Sequence, residues 1–115
     1  MATGASNPIE FQILLALAGR ERHGYGIMKE IDRQSGGRVR VGPGTLYGAI
    51  KRMLGAKWIV ETEATTTEDE EPDARRTSYY RLTAAGRRAA EETARQMADL
   101  LTVAAGHGLV NLKPS

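Results

Sequence analysis

Gly42-Pro43-Gly44-Thr45-Leu46-Tyr47-Gly48-Ala49-Ile50-Lys51-Arg52-Met53-Leu54-Gly55 is the stretch on which the fold of this chain turns. A sharp Gly-Pro-Gly turn opens onto a helix expected over about 45–55, with Leu46, Ile50, Met53 and Leu54 on its inner face. The outer face then collects Thr45, Tyr47, Gly48, Lys51 and Arg52. Backbone N–H groups of the first turn sit beside Gly42 and Gly44, where no side chain blocks an anion. Gly48 keeps the outer face shallow. Thr45 and Tyr47 can donate to phosphates or base edges, Lys51 adds charge, and Arg52 adds a planar fork that matches guanine.

Upstream, Asn7-Pro8-Ile9-Glu10 reads as a helix start: Asn7 as cap, Pro8 at the first helical position and Glu10 reaching back to the cap. Phe11, Ile13, Leu14, Leu15 and Leu17 make this helix apolar nearly all round as far as Gly19, so one side is available to a second subunit. Arg20-Glu21-Arg22-His23-Gly24 reads as a polar turn, with His23 closing it by a hydrogen bond. A second helix is expected from about Tyr25 to Gln34, on a stripe of Ile27, Met28 and Ile31, and Gly36-Gly37 ends it. Arg38-Val39-Arg40-Val41 alternates and is expected to add a short strand or extended bridge.

Downstream, Trp58 to Thr62 and Thr77 to Leu82 read as two strands of a hairpin, with Trp58 as core filling and a polar, acidic tip between them. Thr83 caps a last helix expected to run to about Ala105. Its stripe of Ala85, Ala89, Thr93, Met97, Leu100 and Ala104 recurs near heptad spacing. At about 1.5 Å per residue that helix extends roughly 30 Å, more than the small body ahead of it requires. Gly106 and Gly108 break it.

The net charge of +2 conceals an uneven distribution. Through Lys57 there are 9 bases against 4 acids, from Trp58 to Ala74 there are 7 acids and no base, and from Arg75 onward 7 bases against 3 acids. A basic body interrupted by one acidic segment suits a polyanion, and the acidic run Glu68 to Glu71 stays in solvent because it repels phosphate. Any contact from the wing therefore falls to Arg75 and Arg76 at its far base. With no cysteine and two distant histidines there is no thiol chemistry, no disulfide and no recognisable zinc set. No catalytic triad or phosphate-cradling loop is present, so neither an enzyme nor a bound cofactor is expected. The first residues carry no basic leader and no apolar run reaches membrane-spanning length, so a cytoplasmic location is expected.

Helix, helix, helix, hairpin, helix is the order of a winged helix-turn-helix, mainly α with a small β-hairpin, in which the second helix of the pair fits the major groove of double-stranded DNA. His23-Gly24-Tyr25-Gly26, Gly42-Pro43-Gly44-Thr45-Leu46-Tyr47 and Tyr79-Tyr80-Arg81-Leu82-Thr83, followed by Gly86-Arg87, resemble in order and spacing the signatures of PadR-like transcriptional regulators. The match covers about 9–88. The resemblance implies that Tyr25, Thr45, Tyr47, Lys51 and Arg52 face DNA, and that the last helix pairs with the first helix of a partner to form a homodimer. It also implies repression, in some members relieved by a small planar or phenolic effector near the dimer interface.

The expected division is a DNA-binding domain over 7–82, a dimerisation helix over 83–105 and a flexible tail over 106–115. The expected DNA-facing set is Tyr25, Gly44, Thr45, Tyr47, Gly48, Lys51, Arg52, Arg75 and Arg76. Dimerisation is expected to use Phe11, Leu14, Leu15, Ala89, Thr93, Met97, Leu100 and Ala104. The rival reading is a winged-helix module that binds a protein through the Tyr47 face.

Overall fold

The computed structural model describes residues 8–62 and 78–112. In chain order it places α1 (Pro8–Gly19), β1 (Arg22–His23), α2 (Gly24–Gln34), α3 (Pro43–Gly55), β2 (Ile59–Thr62), β3 (Tyr79–Leu82) and α4 (Ala84–Gly106). Ile13, Leu14, Ile27, Ile31, Leu46, Ile50, Met53 and Ile59 form the fully buried centre, drawn from α1, α2, α3 and β2. Ile27, Ile31, Leu46, Ile50 and Met53 belong to the inner stripes read from the sequence. Trp58 packs against the same core while remaining part-exposed.

The wing differs from the expected two-stranded hairpin. Among the described residues the sheet has three antiparallel strands in the order β1-β3-β2, with Arg22 opposite Tyr80 and His23 opposite Tyr79. The third strand comes from the segment that reads as a polar turn. Two residues are too few to show alternation, and their partners lie far along the chain, so no local pattern announces the pairing. The segment Arg38 to Val41, read as a short strand or extended bridge, forms no strand. The Ser35 hydroxyl holds it instead, accepting from the Val39 N–H at 2.9 Å, while Val41 sinks into the core.

Three helices end in the same way. After α2 the N–H of Gly37 reaches the Asp32 carbonyl at 2.8 Å, and after α4 that of Leu109 reaches Ala104 at 2.9 Å. After α3 the N–H of Trp58 reaches Met53 at 3.0 Å. This paired closure requires a left-handed residue just past the helix. Gly36 and Gly108 supply it without strain, at φ 65° and 75°, whereas α3 uses Lys57 at φ 63°. The chain then turns directly into β2, and the Thr83 hydroxyl donates to the Lys57 carbonyl at 2.6 Å while its N–H donates to the Trp58 carbonyl at 2.9 Å. That oxygen also lies where a Cβ on Gly86 would be, so α4 starts flush against the wing only because residue 86 is glycine. Thr83 caps α4 as expected, accepting from the Gly86 N–H at 3.0 Å.

An L-residue in the left-handed region costs about 1–2 kcal/mol, part of which glycine gives back through its greater freedom when unfolded. Lys57→Gly is therefore expected to stabilise the protein by about 0.5–1 kcal/mol, a rise of roughly 2–4 °C in Tm. Thermal denaturation checks this; a fall in Tm would mean that the Lys57 side chain contributes more than its backbone costs.

Candidate nucleic-acid interface

The structure builds the outer face of α3 from the bottom up. Leu46, Ala49, Ile50 and Met53 are buried, which leaves Thr45, Tyr47 and Lys51 exposed on the opposite side with Gly48 half-exposed between them. Gly42 occupies the N-cap position and brings no side-chain cap. Pro43 lacks an N–H, so the first-turn donors are those of Gly44 and Thr45. Space around Gly42 and Gly44 is open, with no atom within 4 Å of where a Cβ would stand. The result is a shallow helical face with uncapped donors at one end and cationic side chains along it.

The N-terminus of α2 is locked to this face. His23 Nδ1 accepts from the Gly26 N–H at 2.9 Å, the capping bond expected of the turn, and its ring meets Tyr79 edge-on at 5.2 Å. Gly24 is buried beneath Tyr47: a Cβ there would overlap the Tyr47 hydroxyl and stand only 2.7 Å from Cζ. Tyr47 thus does both things that an outer-face aromatic can do. Its tip packs on the backbone of α2, and 44% of its surface remains open to solvent. Tyr25, 52% exposed, stands at the same corner beneath the Lys29 ammonium, which lies 5.4 Å from the ring centroid.

The two adjacent cations of α3 play different parts. Lys51 is exposed and has no carboxylate within ion-pair distance among the described residues. Arg52 is tied down, its Nε donating at 3.1 Å to Oε2 of Glu10 on α1. Glu10 is buried, so this pair links the recognition face to the first helix and leaves the two terminal amino groups of Arg52 as the outward fork. The pairing spans 42 positions and has no local signature in the sequence.

The expected dimerisation set divides. Leu14 is fully buried in the chain's own core and Ala89 almost so, while Thr93 is buried with its hydroxyl bonded back to the Ala89 carbonyl at 2.9 Å. These three pack within the chain itself: near-heptad spacing cannot tell which turns of a helix lie against its own body. Phe11 and Ala104 are half-buried; Leu15, Met97 and Leu100 are exposed. Beyond Thr93 the exposed apolar surface also includes Leu101, Val103, Leu109 and Val110, which the stripe did not include. Arg75, Arg76, the acidic tip and the Asn7 cap lie outside the described residues. The described residues hold no cluster of three His or acidic side chains suited to a metal.

Glu30 accepts two hydrogen bonds from Arg33, through Nε at 3.0 Å and through Nη2, with Arg22 at 3.6 Å from the oxygen that accepts from Nε. The hydrogen bonds from Arg33 hold the Glu30 carboxyl below the usual carboxylate range. A carboxyl depressed in the folded state adds stability above its unfolded value of about 4.3, and that stability disappears as pH falls through the folded value. The stability difference between wild type and Glu30→Gln is therefore expected to be constant near neutral pH and to shrink only below about pH 4.3, as followed by urea denaturation. A difference that does not change with pH would show that charge plays no part. For the helix junction, Gly24→Ala is expected to cost about 1–3 kcal/mol by overpacking, and Tyr47→Ala in the same chain to relieve it. A double-mutant cycle with coupling under about 0.5 kcal/mol would show that the two residues do not press on each other.

With this geometry the comparisons with known proteins agree. Residues 13–92 match the model of the "Transcriptional regulator PadR-like family". The fold resembles a PadR-like regulator of Bacillus cereus (TM-score 0.71, 20% identity, 90% of this chain and 93% of that one). It also resembles a PadR family regulator of Clostridium difficile (TM-score 0.69, 22% identity, 88% and 98%). Bacillus subtilis PadR in complex with operator DNA is similar over 96% of this chain and 51% of that one, at TM-score 0.59 and 16% identity. In sequence, 95 residues are 40% identical to an uncharacterised 37.1 kDa protein of transposon Tn4556 from Streptomyces fradiae, of whose length the match spans 24% and of this chain 83%. A family match over most of the chain, on a framework whose signature residues hold its helices and wing together, leads to one conclusion: the chain belongs to the PadR-like family of transcriptional regulators, which are not enzymes.

Proposed function

We infer that this protein is a sequence-specific DNA-binding regulator that acts as a homodimer, with α3 of each subunit entering the major groove. The observation that carries the reading is the solvent-facing side of α3. Thr45, Tyr47, Gly48, Lys51 and the Arg52 fork share one shallow surface, and Gly44 opens its N-terminal end to a phosphate. Tyr25 extends the surface onto α2, and Arg75 and Arg76 are proposed as further DNA contacts. Support comes from the similar fold of Bacillus subtilis PadR, which was determined with operator DNA.

Dimerisation is assigned to the apolar surface of α4 beyond Thr93, where Met97, Leu100, Leu101 and Val103 are exposed, together with Leu15 and Phe11 of α1. A run of this kind on a helix that leaves its own body needs a partner. On this reading 7–82 bind DNA and 83–105 pair the subunits. Two recognition helices then meet a roughly palindromic operator about one helical turn apart. Repression and relief by a small aromatic effector belong to the same reading and rest on the family resemblance, and a cytoplasmic location is proposed with them. Among the described residues no helix is long and apolar enough to cross a membrane.

Fluorescence anisotropy against DNA from upstream of the gene, with scrambled DNA as control and across a salt series, tests the reading. Specific binding at two subunits per site is expected, and Lys51→Ala should weaken it and make the salt slope shallower by about one. Leu100→Glu should shift the sedimenting species from dimer to monomer and lose operator binding. Absence of binding even at low salt would sink the DNA reading and favour a protein partner for the Tyr47 face.

A further inference from the structure

A concave cavity of about 470 Å³ lies at the corner between the α1–α2 turn and the outer side of α2, away from the groove-facing side of α3. Arg20, Lys29, Arg33, His23, Tyr25 and Tyr79 line it. Its acids are Glu30, which is bonded to Arg33 with Arg22 at 3.6 Å, and Glu21, which accepts from the Thr62 hydroxyl at 3.3 Å and keeps its charge. With Arg22 the lining has four cations against these two acids. Lys29 and Arg20 have no carboxylate within ion-pair distance among the described residues, and Lys29 has only the Tyr25 ring beneath it. Arg33 spends Nε and Nη2 on Glu30 and keeps Nη1. Because His23 Nδ1 accepts from Gly26, its neutral ring carries the proton on Nε2 and is a donor there. The cavity also opens beside the N-terminus of α2, the positive end of the helix dipole.

Donors that approach one hollow from a turn, a strand and a helix, with surplus positive charge, suit a tetrahedral oxyanion. The volume exceeds that of a lone phosphate and leaves room for the group that carries it. We propose that this cavity is a phosphate-binding site, with Arg20 and Lys29 as its principal cations and Tyr25 joining it to the recognition surface. Two sources present that chemistry. One is a DNA backbone phosphate flanking the α3 contact, which rests on the DNA reading above; the other is a free phosphorylated molecule, which does not.

The test compares wild type with the exposed double variant Arg20→Ala/Lys29→Ala, after circular dichroism has shown both to be folded. For a DNA phosphate, operator affinity should fall about five- to tenfold and the salt slope should become shallower by about one to two, additively with Lys51→Ala. For a free phosphate, inorganic pyrophosphate at constant ionic strength should raise the wild-type Tm by about 2–4 °C in a saturable way and leave the variant unmoved. Either result supports the site and names its source. If wild type binds no DNA, the pyrophosphate measurement alone decides. An unchanged DNA affinity and slope in the variant, together with no pyrophosphate stabilisation of wild type beyond that of the variant, would overturn the proposal.

Discussion

The seating of the Tyr47 ring on the bare backbone of Gly24 is the contact on which the rest of the molecule depends. It requires a residue without a side chain at the start of α2 and a long aromatic one turn into α3. Neither requirement can be met by a neighbour, because a Cβ at position 24 would occupy the space of the phenol. The contact places the N-terminus of α2 beside the exposed face of α3, which brings Tyr25 and Tyr47 to one corner. A side chain that serves the architecture with its tip keeps an open ring for a ligand.

Two further joints complete the frame. His23 caps α2 with one nitrogen and lays its ring against Tyr79, so the start of the helix pair is fixed to the central strand of the wing. Tyr80, on the other side of the same strand, fills the core, and burial beside Glu61 pushes its phenol up from the ordinary tyrosine value. At the far end of that strand, Thr83 and Gly86 clasp the Trp58 carbonyl and start α4 in a fixed direction. Signature stretches far apart in the chain thus meet as contacts. Most of their residues hold helices and wing to one another, and a smaller number, Thr45, Tyr47 and Lys51 among them, remain available outside.

Charge follows the same division. Arg52 and Arg22 are engaged by Glu10 and Glu30, while among the described residues Lys51, Lys29 and Arg20 have no such acid. An exposed ion pair contributes little to stability, and a cation held by a buried carboxylate is oriented more than it is free to roam. Arg52 is therefore a positioned fork, whereas Lys51 is a mobile point charge.

Much of this protein could be read without coordinates. Helical periodicity set the inner stripes of α2 and α3, because a 3.6-residue repeat marks a buried face whatever it packs against. Thr83 and His23 showed themselves as caps because capping is local chemistry within three residues. The Tyr25–Lys29 contact went unread, although their four-residue spacing puts both on one helical face, because its setting is a cavity that only folding creates. Tertiary structure alone decided the strand at Arg22–His23, the Glu10–Arg52 pair and the burial of Leu14, Ala89 and Thr93 within the chain itself. The reason is common to all of them. Each depends on a partner dozens of residues away, and local periodicity reports which face is apolar without saying what will cover it.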